Sequence, residues 1–351
     1  MTLSVHVAGD GAGWAIDEEA SNLRKTLGAL NIRHEVSRWR PSHVIYHCDR
    51  YKALTSLSLG EKLLHRRVAM DYFHGKPESG RSFEKLIAKM RFFEPLIDRV
   101  RVSTTYMADL LESEGFEGKV QRIPIGVDVS RFSLASPENR AFAREAYSIP
   151  PQSVVVGSFQ KDGDGWAGGH EPKRIKGPDI LVETCEVLSR SIPNFLVLLA
   201  GPSRGYVESE LRRRGVDYVR QPFVTEDELP LLYHALDLYI VSSREEGGPK
   251  AFLESMASGV ALVSTPVGQI VDLSAHCEAS IAEGFEPSQL AEKAFEILST
   301  PQNPRDHLRR RALAEANSLE SQRGQWREFF SEILALSHRS GPYRNWVGRR
   351  V

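Results

Sequence analysis

The chain has 351 residues, of which 41% are hydrophobic and 26% charged, with 45 Lys and Arg against 46 Asp and Glu and a formal net charge of −1. That length suits two domains with full cores, and the composition is that of a globular protein. The balanced charge argues against a dedicated nucleic-acid binder, which would carry a basic excess.

Leu3–Ala8 reads as a strand that runs into Gly9-Asp10-Gly11-Ala12-Gly13-Trp14. A helix over Asp17–Leu30 follows, with Leu23, Leu27 and Leu30 at helical spacing. Gly9, Gly11 and Gly13 give G-x-G-x-G without the third glycine of the dinucleotide fingerprint, so bound NAD is not expected. These glycines serve either a tight turn or a ligand. The opening segment lacks the basic region of a signal peptide. No segment approaches the roughly 20 apolar residues of a membrane span. Cys48, Cys185 and Cys277 are too sparse for a disulfide framework or a metal pair, which points to a reducing compartment, the cytoplasm.

Val44–Tyr46 and Arg67–Met70 are expected strands, and the second leads to His74 in a loop before Gly75. Arg81–Val100 reads as a basic amphipathic helix with Leu86, Ile87, Met90, Phe93 and Ile97 on one face and Lys85, Lys89, Arg91 and Arg99 elsewhere. A core helix with a solvated basic face is the preferred reading, with peripheral membrane contact as the other. A strand Val100–Ser103, a helix Ala108–Glu114 and a strand Lys119–Ile123 follow. Ser133–Pro151, with prolines 137, 150 and 151, reads as a linker.

Ser153–Phe159 restarts the pattern, and the glycine-rich Gln160–Pro178 gathers Lys161, Lys173, Arg174 and Lys176. The helix Asp179–Arg190, strands Phe195–Ala200 and Val216–Arg220, helix Glu226–Ala235 and strand Leu236–Val241 lead into SSREEGGPKAFLESMASGVALVSTPVG. There a polar turn, Glu245–Pro249, opens a helix over Lys250–Ser258; Gly259 stops it, and Val260–Val263 is the next strand. In open α/β sheets ligands bind at such a turn, at the carboxyl end of the strand. The helix N-terminus near Lys250 is an anion site, although Pro249 has no N–H to donate. Helices over Gln289–Leu298, Arg305–Ser318 and Gln322–Leu336 complete the chain.

Glu246 and Glu254 stand with seven residues between them, and the second is followed by Ser-Met-Ala-Ser-Gly-Val and a strand. Embedded in EGGPKAFLESMASGVALVST, this Glu-x7-Glu resembles the signature of the retaining glycosyltransferases of family 4. The resemblance implies an α/β GT-B fold: two Rossmann-like domains facing each other across a cleft, with a C-terminal helix crossing back to the first. RIPIGVDVSRF resembles the family's domain-closing strand and turn. The expected domains are 1–140 for the acceptor, with 326–351 packing back on it, and 150–325 for the nucleotide sugar.

The implied reaction moves a sugar from a nucleoside diphosphate to a glycan, lipid-linked or small-molecule acceptor by a front-face route, with no metal and no cofactor. It passes through an oxocarbenium-like state while a diphosphate gains negative charge, so the protein must supply positive charge and positioning. By the resemblance, Glu246 lies beside the donor sugar, Glu254 binds the ribose hydroxyls, and Lys176 contacts the diphosphate. Gly157 is followed by Ser158 where the family commonly has an arginine, so Lys161 or Arg174 is expected to supply that charge. Gly247, Gly248 and Lys250 belong to the donor loop. Gly248 and Pro249 stand where the family more often has phenylalanine and glycine, which leaves the donor sugar open. His74 is expected near the donor sugar, and Gly11 and Gly13 at the acceptor or the donor phosphates. Asp162-Gly163-Asp164 reads as a turn, because it follows the wrong strand for a metal-binding pair. The rival readings are a nucleotide-sugar 2-epimerase on the same fold, a non-catalytic nucleotide or glycan binder and, last, an NAD-dependent oxidoreductase.

Overall fold

The computed structural model describes residues 3–13, 15–35, 40–165, 168–222, 224–274, 280–301 and 303–336. Cys277 and residues 337–351 of the expected C-terminal return lie outside them. The chain divides into two units, Met1–Pro124 with Leu319–Val351, and Ile125–Ser318.

Among the described residues of the first unit, β1 (Ser4–Ala8), β2 (Arg33–Glu35), β3 (Val44–His47), β4 (Arg67–Asp71), β5 (Arg99–Val102) and β6 (Val120–Arg122) form one sheet in the order β2-β1-β3-β4-β5-β6. Every neighbouring pair is parallel. Parallel strands are covered on both faces, which is why β3 is buried along its whole length. The order reverses between β1 and β3, and that switch point opens a crevice at the strands' carboxyl ends.

The helix Arg323–Ala335 completes this unit. Trp326, Phe329, Phe330 and Ile333 lie on one helical stripe and are buried with Val5, Val7, Val44 and Tyr46. The Tyr46 ring meets Trp326 and Phe329 edge-on, with centroids 5.7 and 5.9 Å apart. Glu332 is ion-paired with Arg99 of β5.

Two expectations need correction here. The basic helix ends at Phe93, not Val100, because Glu94-Pro95-Leu96 makes a separate 3₁₀ turn and Arg99 already belongs to β5. Proline lacks the N–H that would continue the helix. Its apolar face, Phe83, Leu86, Ile87 and Met90, is core, while Lys85 and Lys89 are exposed. Second, the units part at Pro124 and Ile125, and again at Ser318 and Leu319, rather than near residues 140–150 and 325. Val127 and Phe132 are core residues of the second unit, and Val127 bridges Ser318. The expected linker contains a helix, Pro137–Ala146, capped by Ser136, whose Oγ accepts from the Asn139 N–H at 3.1 Å. Pro137 sits in its first turn, where a missing N–H costs nothing. Arg144 anchors it, donating to the Ser153 carbonyl and to Asp237.

In the second unit, β7 (Val154–Ser158), β8 (Phe195–Ala200), β9 (Tyr218–Gln221), β10 (Leu238–Val241), β11 (Ala261–Ser264) and β12 (Ser280–Ile281) form a sheet in the order β12-β11-β10-β7-β8-β9. All its pairings are parallel. Its switch point lies between β7 and β10. Among the described residues no helix is long and apolar enough to cross a membrane.

The first unit buries a charged cluster. Arg101 lies 3.2 Å from Glu19 and 3.6 Å from Asp71, donates to the Ile123 and Pro124 carbonyls, and stacks on Trp326 with 4.8 Å to the ring centroid. Tyr46 donates to Asp71, and Cys48 and Glu19 also face it. Burial pushes the Asp71 carboxyl up to about 7, against the pull of Arg101 and the Tyr46 hydroxyl. The folded pKa thus exceeds the unfolded one, so this group's stabilising contribution is full below the ordinary carboxylate range, near 3.8, and is lost as pH rises to about 7. Asp71→Asn is therefore expected to gain on the wild type between pH 5 and pH 8. Urea midpoints at both pH values check this, and an unchanged difference would refute it.

Candidate active site

The site of the second unit is built where β10 ends. Ser242 and Ser243 leave the strand buried, and Glu245–Gly248 turn into the helix Lys250–Ala257. Glu246 is half-buried and ion-paired with Lys176, 70 residues earlier in the chain. Ser243 Oγ lies 3.0 Å from Glu246 Oε1 and 3.2 Å from Gln160 Oε1, with one proton to donate to either. Gln160 Nε2 donates to the Lys176 carbonyl at 2.8 Å, and Thr265 Oγ1 donates to the Ser243 carbonyl. The backbones of Lys176 and of Ser243, which contacts the carboxylate, are thus each fixed by a side chain.

Two glycines make this approach possible. Gly177 has φ +60°, and a Cβ there would lie 1.9 Å from the Ser242 carbonyl oxygen. Only glycine lets the Lys176 turn lie against the end of β10. At Gly248 a Cβ would come within 2.7 Å of the Gln269 side chain. Gln269 is fully buried and spans the loop: its backbone N–H donates to the Gly247 carbonyl at 2.9 Å. Its side chain accepts from the Ile125 N–H at 2.8 Å and donates to the Ile125 carbonyl at 3.0 Å.

Glu254 lies one helix turn into Lys250–Ala257 and accepts from the Tyr233 hydroxyl at 2.7 Å. Tyr233 is buried against Phe132, Phe159 and Tyr239, so the hydroxyl that orients Glu254 is itself fixed. Lys250 is half-buried at the first position of the helix, and Glu245 is buried.

The cations of the Gln160–Pro178 loop separate. Burial first, then the charge of Lys176, holds the Lys173 ammonium below the usual lysine range; Asp164 and Glu246 oppose the shift and Lys161 adds to it. Arg174, one of the two expected replacements for the missing arginine, is exposed and 3.1 Å from Asp179, which also takes two contacts of 2.8 Å from Arg244. Under the loop, Asp162 is fully buried 3.0 Å from Arg204. Burial raises the Asp162 carboxyl and the Arg204 guanidinium opposes the rise. Asp162-Gly163-Asp164 is thus an anchored turn, with Asp164 exposed. Among the described residues no three His, Cys, Asp or Glu side chains converge to hold a metal ion.

The remaining expected residues belong to the first unit. His74 is half-buried after β4; Arg50 donates to its carbonyl and lies 3.3 Å from both ring nitrogens, and Phe83 meets the ring edge-on. The N–H groups of Gly11 and Gly13 donate to the Asp17 carboxylate at 3.0 and 2.7 Å. Burial would raise that carboxyl, but these two N–H groups hold it below the usual range. In this structure the chain's own carboxylate takes the place a phosphate would need. A cavity of about 560 Å³ opens beside the loop at the β1–β3 switch point, lined by His6, Gly11, Asp17, His47, Asp49 and Lys52 among others.

Sequence reasoning missed Ser243, Gln160, Tyr233, Gln269 and Asp17. Each acts through a partner distant in the chain or across a turn, and carries no motif of its own. The glycine-rich spacing around Asp17 was the one available signal.

Residues 165–300 match the family model described as glycosyl transferases group 1. The D-inositol 3-phosphate glycosyltransferase of Corynebacterium urealyticum is 25% identical over 287 residues, 77% of this chain and 61% of that protein. The lipopolysaccharide core biosynthesis mannosyltransferase LpsB of Rhizobium meliloti is 32% identical over 155 residues, 42% of this chain and 41% of that protein. The chain thus spans between 41% and 61% of the length of these two relatives. Among solved structures, Anabaena HepE in complex with UDP and glucose matches with a TM-score of 0.74 at 16% identity, covering 95% of this chain and 100% of that one. Sucrose-phosphate synthase from Thermosynechococcus elongatus matches with a TM-score of 0.75 at 15% identity, covering 96% and 100%. At these identities the solved structures show the fold, which is GT-B.

Proposed function

We propose that this chain, whose second unit carries a group 1 glycosyl transferase domain, moves a sugar from a nucleoside diphosphate to a glycan, lipid-linked or small-molecule acceptor, with retention of configuration and without a metal ion or cofactor. The observation that carries the reading is the Lys176–Glu246 pair at the carboxyl end of β10, with Glu254 fixed by Tyr233 on the helix that follows.

Each group has a role that its surroundings support. Lys176 places a positive charge where the departing diphosphate becomes more negative, so it stabilises the transition state more than the bound donor. Gly247, Gly248 and Lys250 bring the start of a helix to the same place, and its N-terminal dipole favours the anion. Glu254 accepts hydrogen bonds from the ribose hydroxyls. Glu246 lies beside the donor sugar and orients it. In a front-face reaction the leaving oxygen itself assists the acceptor hydroxyl, so no enzyme nucleophile is needed. His74, held by Arg50, is assigned to the donor sugar, and the cavity beside Gly11 and Gly13 to the acceptor. With Asp17 already on the two glycine N–H groups, that cavity suits hydroxyl groups better than a phosphate. The proposed location is the cytoplasm.

The test is calorimetric binding of UDP, GDP, ADP and dTDP without metal. One of them is expected to bind, and Glu254→Ala to weaken it about 10- to 100-fold, the range for losing hydrogen bonds to a charged acceptor. Tyr233→Phe should weaken it less. Failure of all four to bind, or binding indifferent to Glu254, refutes the assignment. The sugar nucleotide of the bound base is then screened for transfer, and its conversion without any acceptor would favour the epimerase.

A further inference from the structure

The turn that follows β10 lies against the turn that follows β11, its neighbour in the sheet. Thr265 Oγ1 donates to the Ser243 carbonyl, and the Gln269 N–H donates to the Gly247 carbonyl at 2.9 Å. The third contact is made by the Gln269 side chain. A Cβ at Gly248 would lie 2.7 Å from both Cδ and Oε1 of Gln269, and 3.1 Å from Cδ1 of Ile125. The glutamine amide therefore fills the space into which a side chain at 248 would point, and Gly248 rests on it.

That amide is held in one orientation. Oε1 accepts from the Ile125 N–H at 2.8 Å and Nε2 donates to the Ile125 carbonyl at 3.0 Å, so both ends serve the backbone of one residue. Turned over, it would set donor against donor and acceptor against acceptor. Gln269 is completely buried, where such groups need partners. The nucleotide groups of the site rest elsewhere: Glu254 is oriented by Tyr233, and the Lys176 carbonyl is held by Gln160. Only the Glu246–Gly248 turn is seated on Gln269.

We infer that Gln269 is a positioning residue for sugar transfer: its side chain, clasped to the Ile125 backbone, sets the place of the Glu246–Gly248 turn and so of Glu246 against the donor sugar. The inference rests on the reading of this turn as the one beside that sugar. It gives a residue outside the turn control over the chemical step and none over nucleotide binding.

The experiment compares the wild type with Gln269→Met, Gln269→Ala, Gly248→Ala and the double variant Gly248→Ala/Gln269→Ala. Two quantities are read: calorimetric affinity for whichever of UDP, GDP, ADP and dTDP the wild type binds, and turnover of the sugar nucleotide of that base. Methionine is close to glutamine in size but offers Ile125 neither a donor nor an acceptor, so the turn loses its seat. Turnover is expected to fall about 10- to 100-fold, the range for a small misplacement at the reacting centre, with nucleoside-diphosphate affinity within about twofold. Gly248→Ala presses one methyl on the same amide from the other side and should show the same split, which keeps the test open if Gln269→Met does not fold. With alanine at 269 that methyl enters the space the amide has left, so the double variant should be no slower than Gln269→Ala alone. Turnover of Gln269→Met and Gly248→Ala within twofold of the wild type, a matching loss of nucleotide affinity, or losses that multiply in the double variant would overturn the inference. If the wild type binds none of the four, or turns over no sugar nucleotide, the donor reading itself falls and takes the inference with it.

Discussion

Glu246→Gln is expected to lower the turnover of sugar transfer by about 10²- to 10³-fold, the range for removing one preorganised electrostatic group, with nucleoside-diphosphate affinity held within about threefold. The carboxylate is positioned by Lys176 and by Ser243, whose own backbone is fixed by Thr265. The amide keeps the shape and can still accept from Ser243, but it returns the Lys176 charge uncompensated to the site. That change favours the bound diphosphate and removes the group assigned to the sugar. The signature is therefore a fall in kcat with little rise in KM for the donor. Lys176→Met should instead lose both, because its charge is used in the bound donor and in the transition state. As the two residues touch, the double variant should fall well short of the product of the single losses. Transfer unaffected by Glu246→Gln would remove Glu246 from the reaction. An equal collapse of kcat and donor affinity would make it a structural residue.

Arg204→Met is expected to cost about 3–5 kcal/mol, the range for stranding one member of a buried ion pair. Arg204 is completely buried, lies 3.0 Å from Asp162, and donates to the carbonyls of Ser158 and Ala200 and to Ser158 Oγ. Methionine fills much of the volume but leaves Asp162 without its countercharge and two carbonyls without a donor. The sign of the pH effect follows. Asp162 already has a folded pKa above its unfolded value, through burial. Removing Arg204 raises it further, so the variant's deficit should shrink as pH falls toward the ordinary carboxylate range, where Asp162 takes up a proton. Adding Asp162→Asn should recover most of the loss at neutral pH. Because Asp162 begins the loop that carries Lys173 and Lys176, the single variant should also bind nucleoside diphosphate more weakly. Urea unfolding at pH 5 and pH 8 measures the first effect, and calorimetry the second. A loss below 1 kcal/mol with no pH dependence would mean that Asp162 is neutral in the wild type.

The alternation of apolar runs with helical stripes was enough to predict most strands of both sheets, the stop at Gly259 and the aromatic stripe of the last helix. Spacing is local information, and period 2 or 3.6 is set by backbone geometry alone. Glu246 and Glu254 were singled out by the resemblance of the stretch that holds them, which is confined to one turn and one helix. Elements too short to show a period escaped: β2 and the helices Arg50–Ser56 and Leu59–His65. So did the helix Pro137–Ala146, because proline and serine mark a helix start as readily as a linker.

The pairing of charges was decided only in three dimensions. Lys173, Arg174 and Lys176 are equivalent cations in the sequence. The positions of Asp179 and Glu246 divide them: Arg174 pairs with Asp179 and Lys176 with Glu246. The unit boundary was likewise set by burial of Val127 and Phe132, and the fate of the glycine loop by Asp17, which takes the N–H groups of Gly11 and Gly13. The sequence by itself determined the alternation of strands and helices, which follows from local periodicity, and the spacing of the two glutamates, which drew its meaning and the expected fold from the resemblance to the family. Which cation meets which carboxylate was left to the tertiary structure, because Coulomb and hydrogen-bond energies depend on separation in space and not on separation along the chain.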